Sequence, residues 1–339
     1  MTQPLAGIAV LDLSVWRPGP YATSLLCALG ADVLKVEPPG GDPMRHYADL
    51  FDAINRGKRS IVLDLKDEDD RARALELAAQ AGVMVEGFRP GVMQRLGLDE
   101  PTIRASNPNL VYCSISGYGQ SGPRAHLPGH DVNYQAWGGT LNPDGRPATM
   151  PPLPMADLAS GMAAAFGICA ALLGGQGAYL DLSMTDVMAT WTGNVGHTTS
   201  PDSTSPDTTT PKPVPGYGLF VTANGTQIAL GVVNENHFWS ALCHAIGLDR
   251  HADLTFAERS ARGAELQDAV NGAIVRHDRD TLVKTLIEAG VPAAPVLDRA
   301  AMVATAPFPS FPIRWNEAQP TGEVPTVDQH RGQGFLTSP

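Results

Sequence analysis

The chain has 339 residues, 43% of them hydrophobic and 17% charged, which is enough apolar mass for a large core or two domains and too much for a disordered scaffold. A formal net charge of −11 argues against broad nucleic-acid binding, which needs a basic face, but not against a small anionic ligand held by local Arg and Lys residues. No apolar run reads as a membrane span, and the N-terminus lacks the basic and apolar regions of a signal peptide. Cys27, Cys113, Cys169 and Cys243 are scattered without a CxxC, so the expectation is a cytoplasmic protein with reduced thiols.

In chain order, Gly7 to Leu13 reads as a buried strand, Pro20 to Leu29 as a helix and Asp32 to Val36 as the next strand. Ser60 to Leu65, Val83 to Gly87, Leu110 to Ile115 and Ala178 to Leu182 are further strands, while Asp69 to Ala81 and Leu158 to Leu173 are helical. This alternation predicts an α/β fold with a doubly wound, mostly parallel, Rossmann-like sheet. The stretch after the first strand, Ser14-Val15-Trp16-Arg17-Pro18-Gly19-Pro20, carries no GxGxxG, which disfavours a nicotinamide or flavin enzyme. Residues 191–215 are rich in Ser, Thr, Pro and Asp and read as a linker between a large domain, 1–190, and a smaller α+β domain, 216–299. In the latter, Tyr217 to Thr222 and Thr226 to Val232 flank Asn224-Gly225, a hairpin signal, and helices are expected at His237 to Ala245, Ala261 to Val275 and Asp280 to Glu288. Residues 300–339, Pro-rich from Pro307, are expected to return to the large domain and wrap its surface.

Five phrases stand out: Gly30-Ala31-Asp32-Val33-Leu34-Lys35-Val36-Glu37-Pro38-Pro39-Gly40-Gly41-Asp42-Pro43, Asn55-Arg56-Gly57-Lys58-Arg59-Ser60, Glu86-Gly87-Phe88-Arg89-Pro90-Gly91, Gly117-Tyr118-Gly119-Gln120-Ser121-Gly122-Pro123 and Ala289-Gly290-Val291-Pro292-Ala293-Ala294-Pro295-Val296. In this order and spacing, from about Leu5 to about Val296, the chain resembles the family III CoA-transferase superfamily, which includes α-methylacyl-CoA racemases. The resemblance implies an acyl-CoA substrate, no separate cofactor and an interlocked homodimer. CoA phosphates need cationic donors and the adenine an apolar slot. Arg17, Arg56, Lys58, Lys66, Arg89 and Arg95 are candidates for the charge, with Arg89 and Arg95 favoured, and Gly87 and Phe88 for the slot. Related members often carry Arg where this chain has Pro38, and Arg45 is the candidate replacement.

Asp157 matches the residue that the resemblance makes a nucleophile in transferases and an acid/base in racemases. The bland alternative is a helix N-cap. If the residue opens a helix, free N–H groups of that first turn could hold a thioester oxyanion. Gly129-His130-Asp131-Val132-Asn133-Tyr134 resembles the racemase phrase, in which an imidazole joins the carboxylate so that each serves one face of the α-carbon. Asp131 and Tyr134 are expected to orient His130 or line the pocket, and Glu235 to approach the catalytic pair. His126, His130 and Asp131 lack a third strong ligand at metal spacing, so no metal site is expected. The sequence reading is therefore a racemase or epimerase of 2-methylacyl-CoA thioesters using His130 and Asp157, with a class III CoA-transferase using Asp157 as nucleophile as its alternative.

Overall fold

The first apolar run folds into strand β1 (Ala9–Asp12), buried along its whole length at the middle of a six-stranded sheet. The computed structural model describes residues 3–141, 148–193, 214–305 and 322–336. Chain contacts divide the protein into two compact units, Met1–Ser203 with Pro309–Pro339, and Thr204–Phe308. The linker expected over 191–215 and the start of the expected tail lie largely outside the described residues.

In the first unit β2 (Asp32–Glu37), β3 (Arg59–Val62), β4 (Val83–Glu86), β5 (Val111–Ser116) and β6 (Ala178–Ser183) join β1 in the order β3-β2-β1-β4-β5-β6, with every pair parallel. Successive residues face opposite sides, as the strand period requires. Val10, Val33, Val83 and Val111 enter one core layer, while Leu11, Leu34, Met84 and Tyr112 enter the other. Burial on both faces is why these strands read as continuous apolar runs.

The helices of this unit are α1 (Pro18–Ala28), α2 (Ala48–Asn55), α3 (Glu68–Gln80), α4 (Val92–Leu96), α5 (Glu100–Ser106), α6 (Asp131–Trp137), α7 (Met155–Gly174) and α8 (Met184–Gly193). Helix α3 begins where Asp67 accepts the amides of Asp69 and Asp70, at 3.0 and 3.1 Å, with three acids in its first turn. Helix α1 begins with Pro18 at its first position. Helix α7 corrects the expectation that no run is long and apolar enough for a membrane span, since by length and composition this one is. Its small residues serve packing: a side chain at Gly161 would come within 2.8 Å of the Pro18 carbonyl, so glycine lets α7 press against the start of α1.

The sheet's carboxyl edge carries buried charge. Lys58 Nζ lies 3.2 Å from Asp12 Oδ2 and donates to the Pro20 carbonyl, Thr23 and Asn55. This corrects the expectation that Lys58 meets CoA, because its donors are spent inside the fold. Burial pushes the Asp12 carboxyl up, but Lys58, Lys35 and the hydroxyls of Ser14 and Thr23 outweigh it and hold the group down at about 2. Arg45 is likewise spent, on Glu37 at 2.7 Å and the Pro325 carbonyl at 3.0 Å, and does not replace the missing arginine at Pro38. The described part of the tail, residues 322–336, lies along β2 and β3, where Arg59 donates to the Gly334 carbonyl and Asp328 accepts the Val62 amide.

The second unit holds an antiparallel sheet, β7 (Tyr217–Val221), β8 (Gln227–Gly231) and β9 (Ala293–Pro295), in that order. Its helices are α9 (Asn236–Ala245), α10 (Phe256–Ala261), α11 (Gly263–Ile274), α12 (Arg279–Glu288) and α13 (Arg299–Thr305). The hairpin turn at Asn224-Gly225 is wider than a two-residue loop: the Asn224 side chain accepts from the hydroxyls of Thr222 and Thr226, and Gly225 takes a φ of 75°. A core of Phe220, Ile228, Trp239, Leu242 and Leu266 fills the unit.

Removing one partner of the buried Asp12–Lys58 pair leaves an uncompensated charge. Lys58→Ala should therefore lower stability by about 3–5 kcal/mol in urea unfolding, and the double variant Asp12→Asn/Lys58→Met should recover much of the loss. A Lys58→Ala protein as stable as wild type but weak in CoA binding would restore the ligand role.

Candidate active site

Chain order reverses between β1 and β4, and there the loops leaving the two strands part. A cavity of about 790 Å³ opens at this switch point. It is lined by Ser14 to Gly19 after β1, Gly87 to Pro90 after β4, Ile115 to Tyr118 at the end of β5, the approach to α6 through His130, Asp131 and Tyr134, and Pro154 and Asp157 at the start of α7.

Asp157 is the third residue of α7, and Pro154 occupies the cap position, so the N-cap reading does not hold. Its side chain keeps 19% of its exposure and faces the cavity. Arg17 Nε stands 3.9 Å from Asp157 Oδ2, an ion-pair distance beyond hydrogen-bond reach. Among the described residues no hydrogen bond reaches the Asp157 carboxylate. Its own amide donates to Asp131 Oδ1 at 3.0 Å, which removes that N–H from the oxyanion role expected of the first turn. Burial first, and the Asp131 carboxylate second, push the Asp157 carboxyl up to about 7, with Arg17 opposing them.

Tyr134 fixes another part of the wall. Its hydroxyl donates to the Gly129 carbonyl, and its ring meets Tyr118 edge-on at 5.2 Å between centroids. A side chain at Gly117 or Gly129 would fall 2.3 or 2.6 Å from that ring, so both glycines are needed for its close seat. His130 precedes α6, its amide donates to Asn133 Oδ1 at 3.0 Å, and its exposed imidazole lines the cavity. Asp131 bonds the Asp157 amide with one oxygen and Gln135 with the other, at 2.6 Å. Its role is therefore to join α6 to α7, and among the described residues it makes no hydrogen bond to the His130 ring.

The structure brings together Arg17, Gly87, Phe88, Arg89, His130, Asp131, Tyr134 and Asp157. Lys58, exposed Lys66 and exposed Arg95 do not line the cavity. Arg56 is exposed and donates to the Gly322 carbonyl. Glu235 belongs to the second unit, where its Oε2 accepts the Val233 amide at 3.1 Å ahead of α9.

Three residues escape sequence reasoning. Ser116 lines the cavity with its hydroxyl buried and without a hydrogen-bond partner among the described residues. Glu86, inside a recognisable phrase, accepts the Phe88 amide at 2.7 Å and a hydrogen bond from Ser114, so it shapes the loop presenting Phe88 and Arg89. Burial pushes its carboxyl up to about 7. Trp16 sits at φ 66°, unusual for a bulky residue, yet is 45% exposed on the cavity wall. Nothing in residue type alone signals the Ser116 or Trp16 arrangement.

A sequence profile for CoA-transferase family III matches residues 5–327. The chain belongs to this family. Among its relatives, the acetyl-CoA:oxalate CoA-transferase of Acetobacter aceti is 36% identical, over 88% of this chain and 82% of its own length. The α-methylacyl-CoA racemase of Homo sapiens is 35% identical, over 72% of this chain and 65% of its own. Among solved structures, a CAIB/BAIF family protein from Brucella suis superposes with a TM-score of 0.84 at 29% identity, covering 97% of this chain and 98% of that one.

The shifted carboxyl has a consequence for stability. A group whose folded pKa of about 7 exceeds the 3.8 of the free side chain binds its proton more tightly when folded. Its contribution is thus complete below pH 4 and is lost as pH rises through 7. Asp157→Asn should be more stable than wild type at pH 8, by up to about 4 kcal/mol for a three-unit shift, and the advantage should vanish by pH 4 in thermal melts. A variant less stable than wild type at pH 8 would contradict this electrostatic reading.

Proposed function

We propose that this protein is a CoA-transferase that moves CoA between carboxylic acids, with Asp157 as the acyl-accepting nucleophile. The observation that carries the reading is the Asp157 carboxylate, facing the cavity with no hydrogen bond from the described residues. A desolvated carboxylate with a pKa of about 7 is ionised in about half of the molecules at neutral pH, and that ionised form is not blunted by donors. The names of similar proteins lend weight: a succinate–glutarate CoA-transferase of Agrobacterium fabrum is 32% identical over 86% of this chain.

In this reading an oxygen of Asp157 attacks the thioester carbonyl, the C–S bond breaks, and CoA thiolate leaves a mixed anhydride. The thiolate then attacks the aspartyl carbonyl and expels the donor acid as its carboxylate. The acceptor carboxylate attacks the resulting aspartyl thioester and releases the thiolate, which takes the acceptor's acyl group and frees Asp157. No redox step arises. Phe88 and Arg89 would receive the adenine and phosphates. The assembly in this reading is a cytoplasmic homodimer.

One observation favours the isomerase as a second reading: His130 lines the same cavity as Asp157, as two-faced proton transfer requires. Incubation with an acyl-CoA labelled in its CoA moiety and a free acid decides. The transferase predicts label in a new thioester and a hydroxylamine-trappable acyl group on Asp157. It also predicts loss of transfer in Asp157→Asn by about two to four orders of magnitude, a scale borrowed from general acid–base catalysis, and survival of transfer in His130→Ala. Exchange of the α-proton in heavy water without transfer, abolished in His130→Ala, would establish the isomerase.

Arg89→Ala should raise the KM for acyl-CoA with little change in kcat, matching a loss of about 1.5–3 kcal/mol for a charge-assisted hydrogen bond. An unchanged KM would remove Arg89 from the site.

A further inference from the structure

Resting on the transferase reading, we propose that Arg17 is the specificity residue of this site and that its substrates are short acids carrying a second carboxylate. Arg17 lines the cavity with a side chain 22% exposed. Its guanidinium offers five donors, and among the described residues none makes a hydrogen bond. Arg45 and Arg59 show how this fold treats a structural arginine. Arg45 is locked on Glu37 and a carbonyl, and Arg59 grips both Asp32 oxygens at 2.8 and 2.9 Å. Among the described residues Arg17 has only Asp157, at 3.9 Å, and that group cannot serve as its fixed partner while also acting as nucleophile.

Position decides which anion the cation serves. A group beside Asp157 is beside the thioester carbon, and the pantetheine arm separates that carbon from the CoA phosphates. Arg17 is therefore badly placed for the phosphates. It is well placed for a carboxylate at the far end of a short acyl chain, gripped by two parallel N–H···O bonds. A short diacid satisfies guanidinium and nucleophile together. A monocarboxylic acid of equal length leaves the guanidinium without its anion. Arg17 also opposes the burial that pushes the Asp157 carboxyl up, so its loss will slow transfer to every acid. The ratio between acids, not the rate, is the diagnostic quantity.

The test compares succinate with butyrate. Calorimetric binding of each acid to the wild-type and Arg17→Gln proteins, each saturated with free CoA, is measured alongside kcat/KM for CoA transfer to each. The expected result is tighter binding of succinate, and a succinate-to-butyrate preference that falls at least about tenfold in Arg17→Gln, on the scale of a charge-assisted hydrogen bond. Arg17→Lys, which keeps the charge but not the fork, should retain part of the preference. Equal binding of the two acids by wild type, or a preference unchanged in a folded Arg17→Gln protein, overturns the assignment. Binding that follows this pattern without any CoA transfer upholds the Arg17 site and rejects the transferase reading, so the two failures are distinguishable.

Discussion

The hydrogen bond from the Asp157 amide to the Asp131 carboxylate is the contact on which the site's chemistry depends. It pins the start of α7 to α6, and so brings the helix carrying the Asp157 carboxyl against the segment carrying His130. It also sets the Asp131 carboxylate beside that of Asp157 in a partly desolvated place, where burial first and like charge second favour the neutral form of Asp157. The same bond thus places the group and tunes it. Arg17 opposes both effects and lowers the pKa of the acid.

The remaining walls follow from sheet topology. A parallel sheet whose chain order reverses in mid-sheet must open a gap where the first loops diverge, and residues just past β1 and β4 line it without further instruction. Ion pairs beneath this gap, Asp12 with Lys58 and Lys35 with Asp42, lie fully buried at the edge of the sheet from which the loops depart. Their partners tie α1, β2 and the loop after β1 into one support. Tyr134, seated between two glycines, completes the wall by shape.

Much of this was legible in the sequence, for identifiable reasons. Valines and leucines in short unbroken runs marked the strands, and their alternation with helices marked the doubly wound sheet. Short helices such as α2, α6 and α8 were not legible: they are held by tertiary contact and lack a long apolar period. Strand β9, three residues ending in proline, gave no pattern to read. In the site, recognisable phrases located Arg89, His130 and Asp157. Charge alone misled at Lys58 and Arg45, because an internal cation and a ligand-binding one look alike until their partners are seen. The racemase expectation rested on His130, whereas the more extensive similarities to transferases and an Asp157 carboxylate without a hydrogen bond from the described residues give the transferase reading more weight.

The backbone at Trp16 places a constraint on what that position can hold. Holding a bulky residue at φ 66° costs on the order of 1–3 kcal/mol, and glycine there would be free of most of it. Glycine would also erase an aromatic surface from the cavity wall. Position 16 therefore sets durability against grip. Selection for heat resistance alone would drift toward the small residue and hollow out the wall, while selection for turnover would keep the strained tryptophan.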